Sequence, residues 1–208
     1  MIKMIQNQKI KLLSAWKKYP FNELSISEIM GITGKKTKPW VFNSLKLLAK
    51  NKLLTSRRKG NLDIYTLNMD NPFLLQAIQY LESQENLDFA QLGVIIDIIK
   101  SVPVKNCCIV VFGSYASKKQ TSSSDIDMCF LIEDKSVEKR IKPYFNEVKL
   151  NHAVKIDEHY IPFTDFVKML LRKEENIATQ IFRNHILFFN AEIYYCLVKE
   201  AYERGFRP

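Results

Sequence analysis

Apolar residues in the first 70 positions recur at helical spacing in three places and then switch to strict alternation. Residues 4–17, MIQNQKIKLLSAWK, set Ile5, Leu12, Leu13 and Trp16 near one stripe, which predicts an amphipathic helix ending before Tyr19-Pro20. LSISEIMGITG follows, with Ser25 or Ser27 as N-cap, a short helix through Met30 and a turn at Gly31/Gly34. A longer helix, Pro39–Lys50, opens with proline in its first turn and directs Val41, Leu45, Leu47 and Leu48 inward. LLTSRRKGNLDIYTL then reads as two short strands around a tight Arg57-Arg58-Lys59-Gly60-Asn61 tip, hence a hairpin.

Two more helices are predicted in NPFLLQAIQYLES and LDFAQLGVIIDIIKS, the first starting at Asn71-Pro72 and the second ending at Val102-Pro103. From there strands and helices mix. CCIVVF (107–112) has the length of a buried strand, Asp125–Ile132 is a second, Ser136–Val148 has room for a helix, and AVKIDEHYI (153–161) is a third strand. Two helices, a short Ile186–Phe189 strand and a last helix from about Ala191 close the chain. The class is α/β (α+β), with residues 1–69, a helical connector 70–103 and residues 104–208 as the expected parts.

Composition supports an ordered chain. Its 208 residues hold one ordinary domain or two small ones, and 47% hydrophobic with 25% charged residues is a globular mixture. No apolar run approaches the roughly 18 residues of a membrane span, and Lys3, Lys9 and Lys11 interrupt the N-terminus, so a cytoplasmic protein without membrane contact is expected. Cys107, Cys108, Cys129 and Cys196 lie in apolar contexts without CxxC spacing and are read as buried, reduced thiols; His152, His159 and His185 form no ligand cluster.

Charge changes the picture. Residues 1–70 carry 14 Lys/Arg against 4 Asp/Glu, a balance of +10, whereas residues 71–208 carry 17 against 18, a balance of −1. The whole basic excess therefore sits in the first third, which points that part at a polyanion such as nucleic acid. Lys35, Lys36 and Lys38 flank the start of the long helix, and Arg57, Arg58 and Lys59 crowd the hairpin. Helix, short helix, turn, longer helix and basic hairpin resemble the winged helix-turn-helix family, with Lys36–Lys50 in the recognition-helix position and Leu53–Leu67 as the wing. That resemblance implies phosphate and major-groove contacts to DNA.

The candidate chemistry lies in VFGSYASKKQTSSSDIDMCFLI, Val111–Ile132. Gly113 after a strand permits a tight turn and close backbone approach, and the Ser114 hydroxyl can donate to a phosphate oxygen. Ten residues later come Asp125 and Asp127, which in a strand share one face about 6.5–7 Å apart. Two such carboxylates repel unless a cation joins them, and hard oxygen donors suit Mg²⁺ or Mn²⁺. In the 153–161 strand, Lys155, Asp157 and His159 share a face, with Val154, Ile156 and Tyr160 on the other; Asp157 is favoured over Glu158 as a third carboxylate.

The run G-S-x10-D-x-D between two apolar strands closely resembles the DNA polymerase beta-like nucleotidyltransferase superfamily, especially its minimal, stand-alone prokaryotic (MNT-type) branch. The resemblance implies a small mixed sheet with flanking helices and transfer of a nucleoside monophosphate from an NTP to an acceptor. It also implies that Gly113 and Ser114 hold phosphates, that Asp125, Asp127 and Asp157 bind Mg²⁺ or Mn²⁺, and that Asp157 helps activate the acceptor hydroxyl. Where close relatives often read Gly-Ser-x-Ala-Arg-Gly, this chain has Ser117-Lys118, so Lys118 or Lys119 is expected to supply the triphosphate contact, with Lys118 taken as the candidate. The acceptor is left open between protein, nucleic acid and small molecule. Two other readings stay open: a DNA-binding regulator whose second domain senses nucleotide or dimerises without catalysis, and a toxin–antitoxin component that modifies a partner protein or tRNA. A protein partner or homodimer is compatible with each.

Overall fold

In the computed structural model, which describes residues 7–121 and 123–207, the chain divides between Leu81 and Glu82 into two units. Ile5 of the first expected helix lies outside the described residues. In the first unit, α1 (Asn7–Ile10) runs into a tighter 3-10 segment, Lys11–Trp16, that buries Leu12, Leu13 and Trp16. The Trp16 indole N–H donates to the Asn22 carbonyl at 2.8 Å, so the ring enters the core with its polar group satisfied.

β1 (Leu24–Ser25) leads into α2 (Ile26–Thr33). Ser25 is its cap: the Glu28 N–H donates to Ser25 Oγ and the Ser25 N–H donates back to Glu28 Oε2 at 2.7 Å, a reciprocal capping box. The helix continues past Met30 with Gly31 inside it, and the stop falls at Gly34, φ +66°. An interior glycine weakens a helix by about 1 kcal/mol relative to alanine without breaking it, and the left-handed residue is what ends this one. α3 (Lys38–Lys50) buries Val41, Leu45 and Leu48, with Leu47 half-buried at its flank.

β2 (Leu54–Lys59) and β3 (Leu62–Leu67) pair antiparallel, and with Lys59 opposite Leu62 only Gly60 and Asn61 remain in the turn. The expected five-residue tip is thus corrected to two. Gly60 at φ +60° satisfies the positive φ that a two-residue hairpin demands at its first position, so Arg57, Arg58 and Lys59 can stay in the ladder. The sheet order is β1-β3-β2.

α4 (Pro72–Asn86) begins in the first unit and ends in the second, where α5 (Leu92–Ser101) follows. Then come β4 (Cys107–Val111), the single-turn α6 (Gly113–Ala116), β5 (Ile126–Ile132), α7 (Lys135–Asn151) and β6 (Ile156–Pro162). α8 (Phe163–Leu170), α9 (Ile177–Arg183), β7 (Ile186–Phe189) and α10 (Ala191–Glu203) complete the unit. The four strands form one mixed sheet in the order β6-β5-β4-β7, parallel only between β5 and β6.

One face of that sheet, with Ile109, Val111, Ile126, Met128 and Phe130, packs on Val94, Ile95 and Ile98 of α5 and on Ile141 and Phe145 of α7. α8 and α10 pack against the sheet as well. Cover on both sides explains why β4 and β5 read as continuous apolar runs. Burial makes Cys107, Cys108 and Cys129 small core hydrophobes and pushes their thiols up, Cys107 to about 11. Cys196 departs from the expectation: it is exposed on α10 between the buried Tyr195 and Leu197, on the outward side of the helical stripe. Among the described residues, no helix is long and apolar enough to cross a membrane.

Candidate active site

The expected phosphate turn and carboxylates come together where β4 ends and β5 and β6 begin. Gly113-Ser114 is not an open turn but the start of the one-turn α6, and Gly113 sits at φ +67°. A Cβ on Gly113 would lie 1.9 Å from Asp127 Oδ2 and 2.7 Å from its carboxyl carbon, so backbone and carboxylate touch in a space open only to glycine. The Phe112 N–H donates to the Asp127 carbonyl at 2.9 Å, and the Ser114 N–H donates to the Asp127 carboxylate. Strand end, turn and acid thus form one hydrogen-bonded piece.

α6 closes in a Schellman arrangement. The Lys119 N–H reaches the Ser114 carbonyl at 2.9 Å, the Lys118 N–H reaches that of Tyr115 at 3.3 Å, and Lys118 occupies the left-handed position at φ +57°. The Ser117 hydroxyl donates to the Gly113 carbonyl at 2.9 Å. Lys118 therefore holds a backbone position that favours glycine, and its side chain is exposed beside the turn.

Parallel pairing of β5 with β6 sets Asp127 directly opposite Asp157. Glu158, the neighbouring acid, points the other way and pairs with Lys149 Nζ at 2.6 Å. Asp125 is not in the strand: β5 starts at Ile126, and Asp125 is exposed one residue before it. Asp125 lies one residue before the ladder, which starts where Ile126 enters the core, and its charge acts on Asp127; β6 adds the cross-strand pair of Asp127 with Asp157.

The electrostatics follow this geometry. Burial holds the Asp127 carboxyl above its ordinary range, the Asp157 charge raises it further and Asp125 adds a smaller push, while the Ser114 N–H and His159 pull it down. His159 was legible in the sequence only as a same-face neighbour of Asp157; its Nε2 lies 3.3 Å from Asp157 Oδ2 and its ring packs 5.7 Å from that of Phe112. Among the described residues, no group of three or more His, Cys, Asp or Glu side chains stands ready to hold a metal ion.

The basic residues of the first unit are distributed unevenly. Lys36 and Lys38 are exposed at the start of α3, and Lys35 lies over the Trp40 ring at 5.5 Å. Arg57 is ion-paired with Glu23, while Arg58, opposite Asp63, and Lys59 project from β2. Helical spacing also sets Asn43, Lys46 and Lys50 on the exposed side of α3, a stripe that attention to the charged flanks passed over.

Residues 94–193 match the family model described as Polymerase beta, Nucleotidyltransferase. The match spans just under half of the chain and includes β4 to β7 and every residue of the turn and carboxylate cluster. No curated protein and no solved structure matches the chain. The second unit thus carries a segment similar to polymerase-beta-type nucleotidyltransferases, for which nucleotidyl transfer is the general activity.

Two stability effects follow. Lys118→Gly should raise stability by about 0.5–1 kcal/mol, the left-handed penalty less the greater chain entropy of glycine, as measured by urea unfolding. Asp127→Asn should raise the melting temperature at neutral pH by removing a carboxylate whose ionised form the fold disfavours. With the folded pKa raised, wild-type stability falls as pH rises from the ordinary carboxylate value through the raised one. The advantage of Asn should therefore shrink as pH is lowered through that window, as melts across an acid pH series will report.

Proposed function

We propose, starting from the similarity of residues 94–193 to polymerase-beta-type nucleotidyltransferases, that the second unit transfers a nucleoside monophosphate from an NTP to an acceptor hydroxyl in a metal-dependent reaction. The observation that carries this is the junction of Gly113, Asp127 and Asp157: a glycine turn built directly onto a pair of facing carboxylates. A partly buried carboxylate facing a second acid is donor chemistry that suits a hard divalent ion, so Asp127 and Asp157, with Asp125 at the margin, fit Mg²⁺ or Mn²⁺. When bound, such an ion would offset the charge of the carboxylates and of the phosphate oxygens.

The chain's own groups account for the rest. The Gly113-Ser114 backbone and the Ser114 hydroxyl receive the phosphates, and Lys118 adds a cation from the exposed side of the turn. The acceptor oxygen attacks the α-phosphorus while the bond to the β-phosphate bridging oxygen breaks, so pyrophosphate leaves with that electron pair. Asp157, more exposed than Asp127, takes the proton of the acceptor hydroxyl.

The first unit is assigned to DNA. Helix, short strand, two helices and a hairpin, with β3 between β1 and β2, support a winged helix-turn-helix reading, and the basic excess of the first 70 residues supports a polyanionic partner. Arg57 is engaged by Glu23, so Arg58, Lys59, Lys36 and Lys38 are the better placed phosphate contacts, with Lys35 behind Trp40.

Incubation with labelled NTPs, Mg²⁺ and candidate acceptors tests the enzyme. Asp127→Asn and Asp157→Asn should each cut transfer at least about 100-fold while leaving the far-UV spectrum unchanged; undiminished transfer in either variant rejects the site. Nucleotide binding by the wild type without any transfer would favour a sensor. For the first unit, Arg58→Ala with Lys59→Ala should weaken binding to duplex DNA and flatten its salt slope by about 2, and an unchanged slope moves the contact elsewhere.

A further inference from the structure

We infer that Phe89 is a positioning residue for the Gly113-Ser114 turn, a role that rests on the nucleotidyltransferase reading of that turn. A one-turn helix does not hold itself in water, so the tilt of α6 is set by what its side chains pack on. Gly113 has no side chain, Ser114 and Ala116 are half-buried, and Tyr115 is the buried residue of α6. The Tyr115 ring enters the core shared with α5 and meets Phe89 with ring centroids 5.7 Å apart. Phe89 in turn stands edge-on to Phe188 at 5.0 Å. These are separations at which aromatic rings attract with a preferred geometry.

Phe89 and Phe188 are both held by the backbone around them. Phe89 lies in the turn between α4 and α5, where its N–H donates to the Asn86 carbonyl at 3.1 Å and its carbonyl accepts from the Leu92 N–H at 3.1 Å. Asn86 Nδ2 also donates to the Leu187 carbonyl at 2.7 Å, tying the start of that turn to β7. Phe188 is the extra residue of a bulge: Val110 pairs with Leu187 and Ile109 with Phe189, so the alternation of β7 shifts at 188. The bulge turns Phe188 and Phe189, neighbours in sequence, to the same face of the sheet. Phe89 thus joins a turn and a re-aimed strand edge to the buried anchor of α6. The N–H groups of Gly113 and Ser114 ride on that helical turn, so their aim at a phosphate follows the tilt that Tyr115 and Phe89 set. Phe89 precedes the 94–193 segment, so the clamp comes from this chain's connection between α4 and α5.

Binding of ATP, GTP, CTP and UTP with Mg²⁺, and of inorganic tripolyphosphate, is measured by calorimetry on the full chain. Phe89→Ala should weaken the NTPs that bind the wild type about 10-fold and tripolyphosphate by the same factor, because a loosened turn misplaces donors that meet only phosphates. Phe89→Leu, which refills most of the volume, should restore most of the affinity. Phe145→Ala opens the same core where α7 packs on Phe130, and should lower the melting temperature without moving the affinity. Where Phe89→Ala does not fold, Phe89→Val takes its place, with thermal melts giving the fraction folded at the temperature of the titration. If Ser114→Ala with Lys118→Ala weakens NTP binding and Phe89→Ala does not, the positioning role is overturned and the turn stands as the nucleotide site. Equal weakening by Phe145→Ala and Phe89→Ala overturns it too, since the effect is then a general loss of packing. If Ser114→Ala with Lys118→Ala binds every NTP as the wild type does, or the wild type binds none, the reading of the turn and the inference fall together.

Discussion

The contact between Gly113 and the Asp127 carboxylate is the constraint on which the rest of the site depends. A charged group at the edge of a buried strand is costly unless something polar meets it, and here the backbone itself does so at a distance that excludes any side chain. The approach requires the left-handed φ of Gly113, and that φ bends the chain from β4 into α6 so that the Ser114 N–H faces the acid. The same bend leaves the Phe112 N–H to extend the β4–β5 pairing by one more bond. The Gly113-Ser114 turn and the Asp127 carboxylate are consequently a single element, not two motifs that happen to be near each other.

The sheet then multiplies one acid into two. Antiparallel pairing with β4 fixes where β5 begins, and parallel pairing of β5 with β6 fixes which residue faces Asp127. A slip of one residue would bring Glu158 opposite Asp127 and turn Asp157 to the other face, and the Lys149–Glu158 pair with the burial of Ile156 resists that slip. Register here is held by apolar burial on one face and by an ion pair on α7, both outside the site. The facing of Asp127 and Asp157 is thus maintained by contacts outside the carboxylate pair.

Much of this was legible because the relevant signals are local. Alternation separated Asp157 from Glu158, the apolar runs marked β4 and β5, helical spacing marked α3 near its observed bounds, and α7 fills the stretch that had room for a helix. What could not be read depends on partners distant in sequence or on backbone angles. Nothing in AVKIDEHYI says that it lies parallel to β5, so the facing of Asp127 and Asp157 had no sequence signal beyond facing parity. Asp125 fell outside the strand because ladder pairing starts with the first buried residue. Ser25 won over Ser27 because Glu28 stands three residues after it, a capping-box spacing present in the sequence but needing a choice of helix start. The hairpin tip shrank to Gly60-Asn61 because one glycine at positive φ suffices for a two-residue turn.

Lys118 shows where folding and function pull apart. The Schellman closure of α6 calls for glycine, yet this chain holds lysine at φ +57°. A left-handed lysine costs roughly 1–2 kcal/mol in backbone strain, and nothing in the packing around its exposed side chain repays that locally. The preceding residue, Ser117, explains how the turn survives: its hydroxyl bonds back to the Gly113 carbonyl, bracing the helix from inside. Serine for bracing and lysine for charge divide between two positions what an arginine followed by glycine would supply in the reverse order. Strained backbone persists where the surroundings over-determine it and clusters at ligand clamps and switch regions, which is the ground on which Lys118 is proposed as a contact to the triphosphate.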